Sequence, residues 1–113
     1  MNDEKKILRM LIVVRDDLAP NHVALACAHG SLAAWFKWGE NYTIDNTSDL
    51  MKEWRDKSFR KVIRKATAEQ FEQAKKEHPH IVMTESSLDG RETALVFQMA
   101  FEYPKFLNYL PKY

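Results

Sequence analysis

The sequence predicts an α/β domain of three layers (α/β/α), with helices on both faces of a mixed four-stranded sheet, and three observations carry that prediction. Short apolar runs of strand length alternate with segments of helical periodicity in the order β, α, α, β, α, β, β, α. The last two strands are separated only by a loop holding Asp89-Gly90, which lets them pair antiparallel, whereas strands separated by helices need right-handed crossovers. At 113 residues the chain has room for one core, so residues 1–113 read as a single domain.

Each element has its own signal. Residues 7–15 hold Ile, Leu, Val and Val in a run closed by Asp16-Asp17, which reads as a buried strand ending in a turn. Pro20 suits a first helical turn, and Val23, Ala24, Cys27, Ala28, Leu32, Ala33 and Trp35 form an apolar stripe at helical spacing, with Gly39 offering a stop. The alanines and Gly30 make this helix thin enough to lie close on the sheet. Residues 41–48 are polar, and Thr47 or Ser48 can cap a short second helix through residues 52–54. Residues 59–66 read as a strand centred on Val62 and Ile63. Thr67-Ala68-Glu69-Gln70 then opens a third helix as a capping box, with Phe71 and Ala74 facing inward. Ile81-Val82-Met83 and residues 93–101 are the last strands. Pro104 starts a closing helix that Pro111 ends.

Composition narrows the class. Hydrophobic residues at 45% and charged residues at 29% are the balance of a folded domain and leave disorder for the ends alone. The apolar run near the N-terminus is too short for a spanning helix or a signal core, so no membrane partner is expected. One cysteine, Cys27, forms no internal disulfide, which makes a cytoplasmic setting the default. The net charge of +1 hides a local excess: residues 52–65 carry seven cations against Glu53 and Asp56. Such a stretch, Arg60, Lys61 and Arg64 included, suits phosphate. A solvated helix end followed by a strand with a basic outer side explains it equally.

Leu11-Ile12-Val13-Val14-Arg15-Asp16-Asp17-Leu18, followed by residues 22–30 reading His-Val-Ala-Leu-Ala-Cys-Ala-His-Gly, resembles the opening of the type 2 peptidyl-tRNA hydrolases, which show a Val-Val-Arg-x-Asp-Leu strand end and a helix Lys-x-Ala-x-Gln-x-Ala-His-Ala. Lys61-Val62-Ile63 looks like that family's second strand, and residues 85–93 sit where it has an Asp-Ala-Gly-Arg-Thr loop. The resemblance covers nearly the whole chain and is nearest to the divergent peptidyl-tRNA hydrolase domain-containing group. It implies the type 2 fold, tRNA as partner, ester hydrolysis without a cofactor, and the dimer common among these enzymes. On this chain the family's lysine falls on His22, its glutamine on Ala26 and its histidine on His29; its aspartate falls on Glu85, with Gly90-Arg91 matching Gly-Arg.

Positions 22, 26 and 29 share one helical face by their spacing. Cleaving an ester between a peptide carboxyl and a ribose needs a positioned water, a proton acceptor and donors for the oxyanion. The expectation is that Glu85 or Asp89 orients or deprotonates the water and that His22 donates to the ester or oxyanion, with His29, Arg91, Thr93, Arg60, Lys61 and Arg64 binding substrate. The competing expectation is a catalytically degenerate module that binds RNA or a protein; a small-molecule enzyme on the same scaffold is the third. On the structural side, His22 reads as a solvated residue near a helix start, His29 as a histidine tied to a loop carbonyl, and Glu85 and Asp89 as an ordinary turn. Cys27 points away from His29 and fills core. His22 and His29 are roughly 10 Å apart by helix rise, and no metal is expected. Trp38 and Phe36 leave the inner stripe; an exposed aromatic pair there would mark a dimer edge, and self-association stays open.

Overall fold

The computed structural model describes residues 7–40 and 46–113. Strands β1 (Arg9–Arg15), β2 (Arg60–Ala66), β3 (His80–Glu85) and β4 (Arg91–Ala100) form one sheet in the order β2-β1-β4-β3. β1 pairs parallel with β2 and antiparallel with β4, and β3 pairs antiparallel with β4, so the sheet is mixed as predicted. β1 and β4 are central and buried on both faces, which is why they read as unbroken apolar runs.

Helices α1 (Pro20–Ala34) and α2 (Asn46–Glu53) cover one face, over Met10, Ile12, Val14, Ala94 and Val96. Helices α3 (Ala68–Ala74) and α4 (Lys105–Tyr109) cover the other, over Leu11, Val13, Leu95 and Phe97. The two-residue period of a strand divides the residues in this way. The capping box forms: the Gln70 N–H donates to Thr67 Oγ1 at 3.2 Å, and the Thr67 N–H donates to Gln70 Oε1 at 3.0 Å.

Several local expectations fail for identifiable reasons. The buried face of α1 is Val23, Ala26, Gly30 and Ala34, while Leu32 is 54% and Leu25 42% exposed. Contact with the sheet selects small residues over large ones: a Cβ on Gly30 would stand 2.5 Å from Val96 Cγ2. Gly39 does not stop the helix. The chain continues through a wider π-helical turn, residues 35–40, in which the Trp35 ring lies against the Gly39 position. The wider turn changes the helical phase and swings Trp38, 8% exposed, into the core, so the expected exposed pair is reduced to Phe36.

Thr47 and Ser48 lie inside α2 rather than capping it. The polar residues 41–45 lie outside the described residues, as do residues 1–6, where disorder was expected. At the other end, order replaces the expected disorder: the Lys65 N–H donates to the Pro111 carbonyl and the Tyr113 N–H to the Ile63 carbonyl, both at 2.9 Å, pairing residues 111–113 with the outer edge of β2.

Candidate active site

Most of the residues singled out in the sequence fall into two groups on opposite faces of the sheet, and Lys61 stands apart from both, on the first group's face but at the other end of the strands. The first gathers where β1 and β3 end and β4 begins. Glu85 closes β3 and, by alternation with Ile81 and Met83, faces α1. Its carboxylate accepts from the Ser87 hydroxyl at 2.8 Å and from the Ser87 N–H at 3.2 Å. Those two bonds, with the nearby charges of His22 and His29 acting in the same sense, hold the Glu85 carboxyl below the ordinary carboxylate range. Both imidazoles of α1 therefore act on one carboxylate of β3. A carboxylate held ionised in this way is a weak proton acceptor and a good anchor for a water or an imidazolium.

His22 is half-buried and His29 exposed, so the loop-carbonyl tie expected for His29 does not fit its position. Ala26, between them, is buried among core side chains, placing a methyl group where the family pattern has an amide. Cys27 is packed partly against the core, and burial pushes its thiol up, away from nucleophilic chemistry.

The loop supplies backbone order and one charge link. Asp89 (φ 58°) and Gly90 (φ 77°) are both left-handed; the Asp89 N–H donates to the Ser86 carbonyl and the Gly90 N–H to the Glu85 carbonyl. Asp89 is thus a turn residue, since aspartate accepts this conformation better than most residues. Arg91 stands in register opposite Glu85, and its guanidinium contacts Asp17 Oδ2 at 2.6 Å. Asp17 also receives Arg15 at 2.9 Å, so one carboxylate ties the end of β1 to the start of β4. Sequence reasoning treated Asp17 as part of a turn; its signal was the Arg-x-Asp-Leu pattern already visible at residues 15–18. Thr93, 2% exposed, sits where the β3 and β4 register shifts, and its hydroxyl donates to the Met83 carbonyl at 3.3 Å. It braces the bulge and is covered from above.

The basic triplet is split. Lys61 faces the α1 side, with its ammonium 3.5 Å from the Phe59 ring centroid, and burial lowers its pKa. It borders an apolar pocket of about 370 Å³ walled by Ala28, Leu32, Trp35, Trp54 and Phe59. Arg60 and Arg64 pair with Arg9 and Val13 and so lie on the opposite face, away from His22 and Glu85. Period-two alternation separates neighbours that look like one patch in the sequence.

Among the described residues no group of three His, Cys, Asp or Glu side chains is placed to hold a metal ion, and no helix is long and apolar enough to cross a membrane. No curated protein matches the chain significantly. The family model described as peptidyl-tRNA hydrolase PTH2 matches residues 8–93, which take in β1, α1, β2, α3, β3 and the loop with Glu85 and Arg91. The chain belongs to the type 2 peptidyl-tRNA hydrolase family.

Proposed function

We propose that the protein hydrolyses the ester of peptidyl-tRNA or of an N-blocked aminoacyl-tRNA. Family membership supports a peptidyl-tRNA hydrolase-like function. The observation that carries the reading is the placement of Glu85, held by Ser87 at the end of β3, on the face covered by the helix that carries His22 and His29. In this mechanism Glu85 orients the attacking water. The water oxygen bonds to the ester carbon, and His22 donates to the oxyanion as the tetrahedral intermediate forms. The Glu85 carboxylate takes the water's proton as the water oxygen bonds to carbon, and that proton returns to the departing ribose oxygen as its bond to the carbonyl carbon breaks. Arg91 supplies positive charge beside Glu85, and Lys61, at the far end of the same face, is placed for the tRNA backbone rather than for the ester. A cytoplasmic setting belongs to the same proposal.

The binding-module reading also has a specific observation in its favour. One polar position of the family pattern does other work here, since Ala26 is core, and the neighbouring Thr93 hydroxyl is spent on Met83.

The deciding experiment is cleavage of N-acetyl-aminoacyl-tRNA by the protein beside His22→Ala and Glu85→Gln variants. We expect each variant to lose about 10²-fold or more in kcat/KM, as removal of a positioned acid or base does. Absence of cleavage by the parent, where another family enzyme works, would favour the binding module.

A further inference from the structure

The face opposite α1 carries a charge arrangement that the reaction does not use. Arg9 on β1 stands directly across from Arg60 on β2, and Arg64 on β2 directly across from Lys112 in residues 111–113. Like charges in register on a sheet repel. Two such pairs lie in line, and all four cations line one pocket of about 350 Å³ beneath α4, in which Glu102 is the single acidic lining residue.

Two of the guanidiniums are held by main-chain carbonyls. Arg9 donates to the Phe101 carbonyl at 2.8 Å and Arg64 to the Leu110 carbonyl at 2.6 Å. Carbonyls fix their direction without cancelling their charge. Burial, and after it the neighbouring charge of Arg9, acts against the charged form of Arg64. Beside them the pocket has an apolar wall: Phe101 is 42% and Ile7 40% exposed, and both line it.

We infer that this pocket binds the phosphate of a nucleotide, free or within an RNA strand, with the base against Phe101, at a site separate from His22 and Glu85. Pre-positioned arginines suit phosphate oxygens, and an exposed aromatic ring accepts any base face. The row runs four residues along β2, roughly 13 Å by strand rise, which is long enough for more than one phosphate.

The test is a binding titration of the whole chain with inorganic phosphate, AMP and a short single-stranded oligoadenylate, comparing the parent with Arg60→Gln/Lys112→Gln and with a Lys65→Gln control. Lys65 is exposed on the same strand but alternates onto the other face. We expect the double variant to bind the nucleotide probes about tenfold more weakly and, for the oligomer, to reduce the log–log salt slope by about 1.4. The control should be unaffected. Arg60 and Lys112 are exposed, so both proteins should fold.

In the absence of ligand, the double variant should melt at a higher temperature than the parent at low salt, because repulsion is relieved; this reading needs no ligand. AMP and oligomer binding alike, or the oligomer binding far more tightly, distinguishes a free nucleotide from a strand, and either result supports the site. The inference is overturned if the parent binds none of the probes, if AMP binds no more tightly than phosphate, or if the Lys65 control loses as much as the double variant.

Discussion

Replacing Gly30 by alanine sets two known effects against each other, and the geometry says which wins. In an ordinary helix interior the change is stabilising by about 0.8–1 kcal/mol, because glycine has more backbone freedom to lose. Here the new methyl would stand 2.5 Å from Val96 Cγ2, whereas carbon atoms rest about 3.5–4.0 Å apart. α1 must therefore withdraw by about 1 Å, since the β-branched valine has little rotameric freedom. Overpacking of this kind costs about 1–3 kcal/mol, leaving a net loss near 1 kcal/mol. With an unfolding entropy of about 2.1 cal/mol/K per residue, that loss lowers the melting temperature by about 4 °C for a chain of 113 residues.

Thermal unfolding followed by circular dichroism measures it. In a Val96→Ala background, where the opposing methyl is gone, the same substitution should raise the melting temperature instead, giving a coupling of about 1–3 kcal/mol between the two positions. A rise of several degrees on the parent background would refute the close approach. Because α1 carries His22 and His29 toward Glu85, a helix lifted by about 1 Å should also cost about 10²-fold in turnover.

Three further outcomes are expected. Ser87→Ala removes the stronger of the two bonds that depress Glu85, so the carboxyl should titrate at higher pH, read directly by carboxyl carbon NMR and as an acid limb of kcat/KM moved upward; an unmoved titration would show that Ser87 does not set it. Thr67→Ala breaks the reciprocal cap of α3 and should cost about 1 kcal/mol, or about 4 °C in melting temperature, with no change in turnover. His78 packs edge-on against Tyr103 at 5.0 Å, and burial lowers its pKa despite an opposing bond with the Gln98 backbone. The unfolded chain takes the proton first, so this part of the stability is whole above the ordinary histidine value and falls as pH drops through it. Urea midpoints between about pH 7.5 and 5.5 should decline in the parent and less in His78→Gln, and equal slopes would argue against the assignment.

The strands were legible because β1 and β4 are buried on both sides and are filled almost wholly by apolar side chains. The α3 boundary was legible because Thr67 and Gln70 bond each other locally. The facing of α1 was not: alanines surround that helix, so hydrophobic contrast is weak, and the fit of Gly30 on Val96, a contact between distant residues, decides it. Trp38 was misplaced because a π-helical turn shifts phase without a residue that announces it. For the candidate site, His22 and Glu85 were named, but their placement on one face depends on strand order, which puts β3 beside β4 under α1. The division of Arg60 and Arg64 from Lys61 was available from alternation alone and was obscured by the density of charge.

The short pairing of residues 111–113 with β2 also bears on solubility. β2 is an outer strand, and outer strands offer unmet backbone groups to any passing chain. The Ile63 carbonyl and the Lys65 N–H are already taken by this segment. The segment in turn begins with Pro111, which has no N–H to offer. Stacking one molecule on the next along this side is thus discouraged twice, and loss of the last three residues would open a template for fibrous association while leaving the core intact.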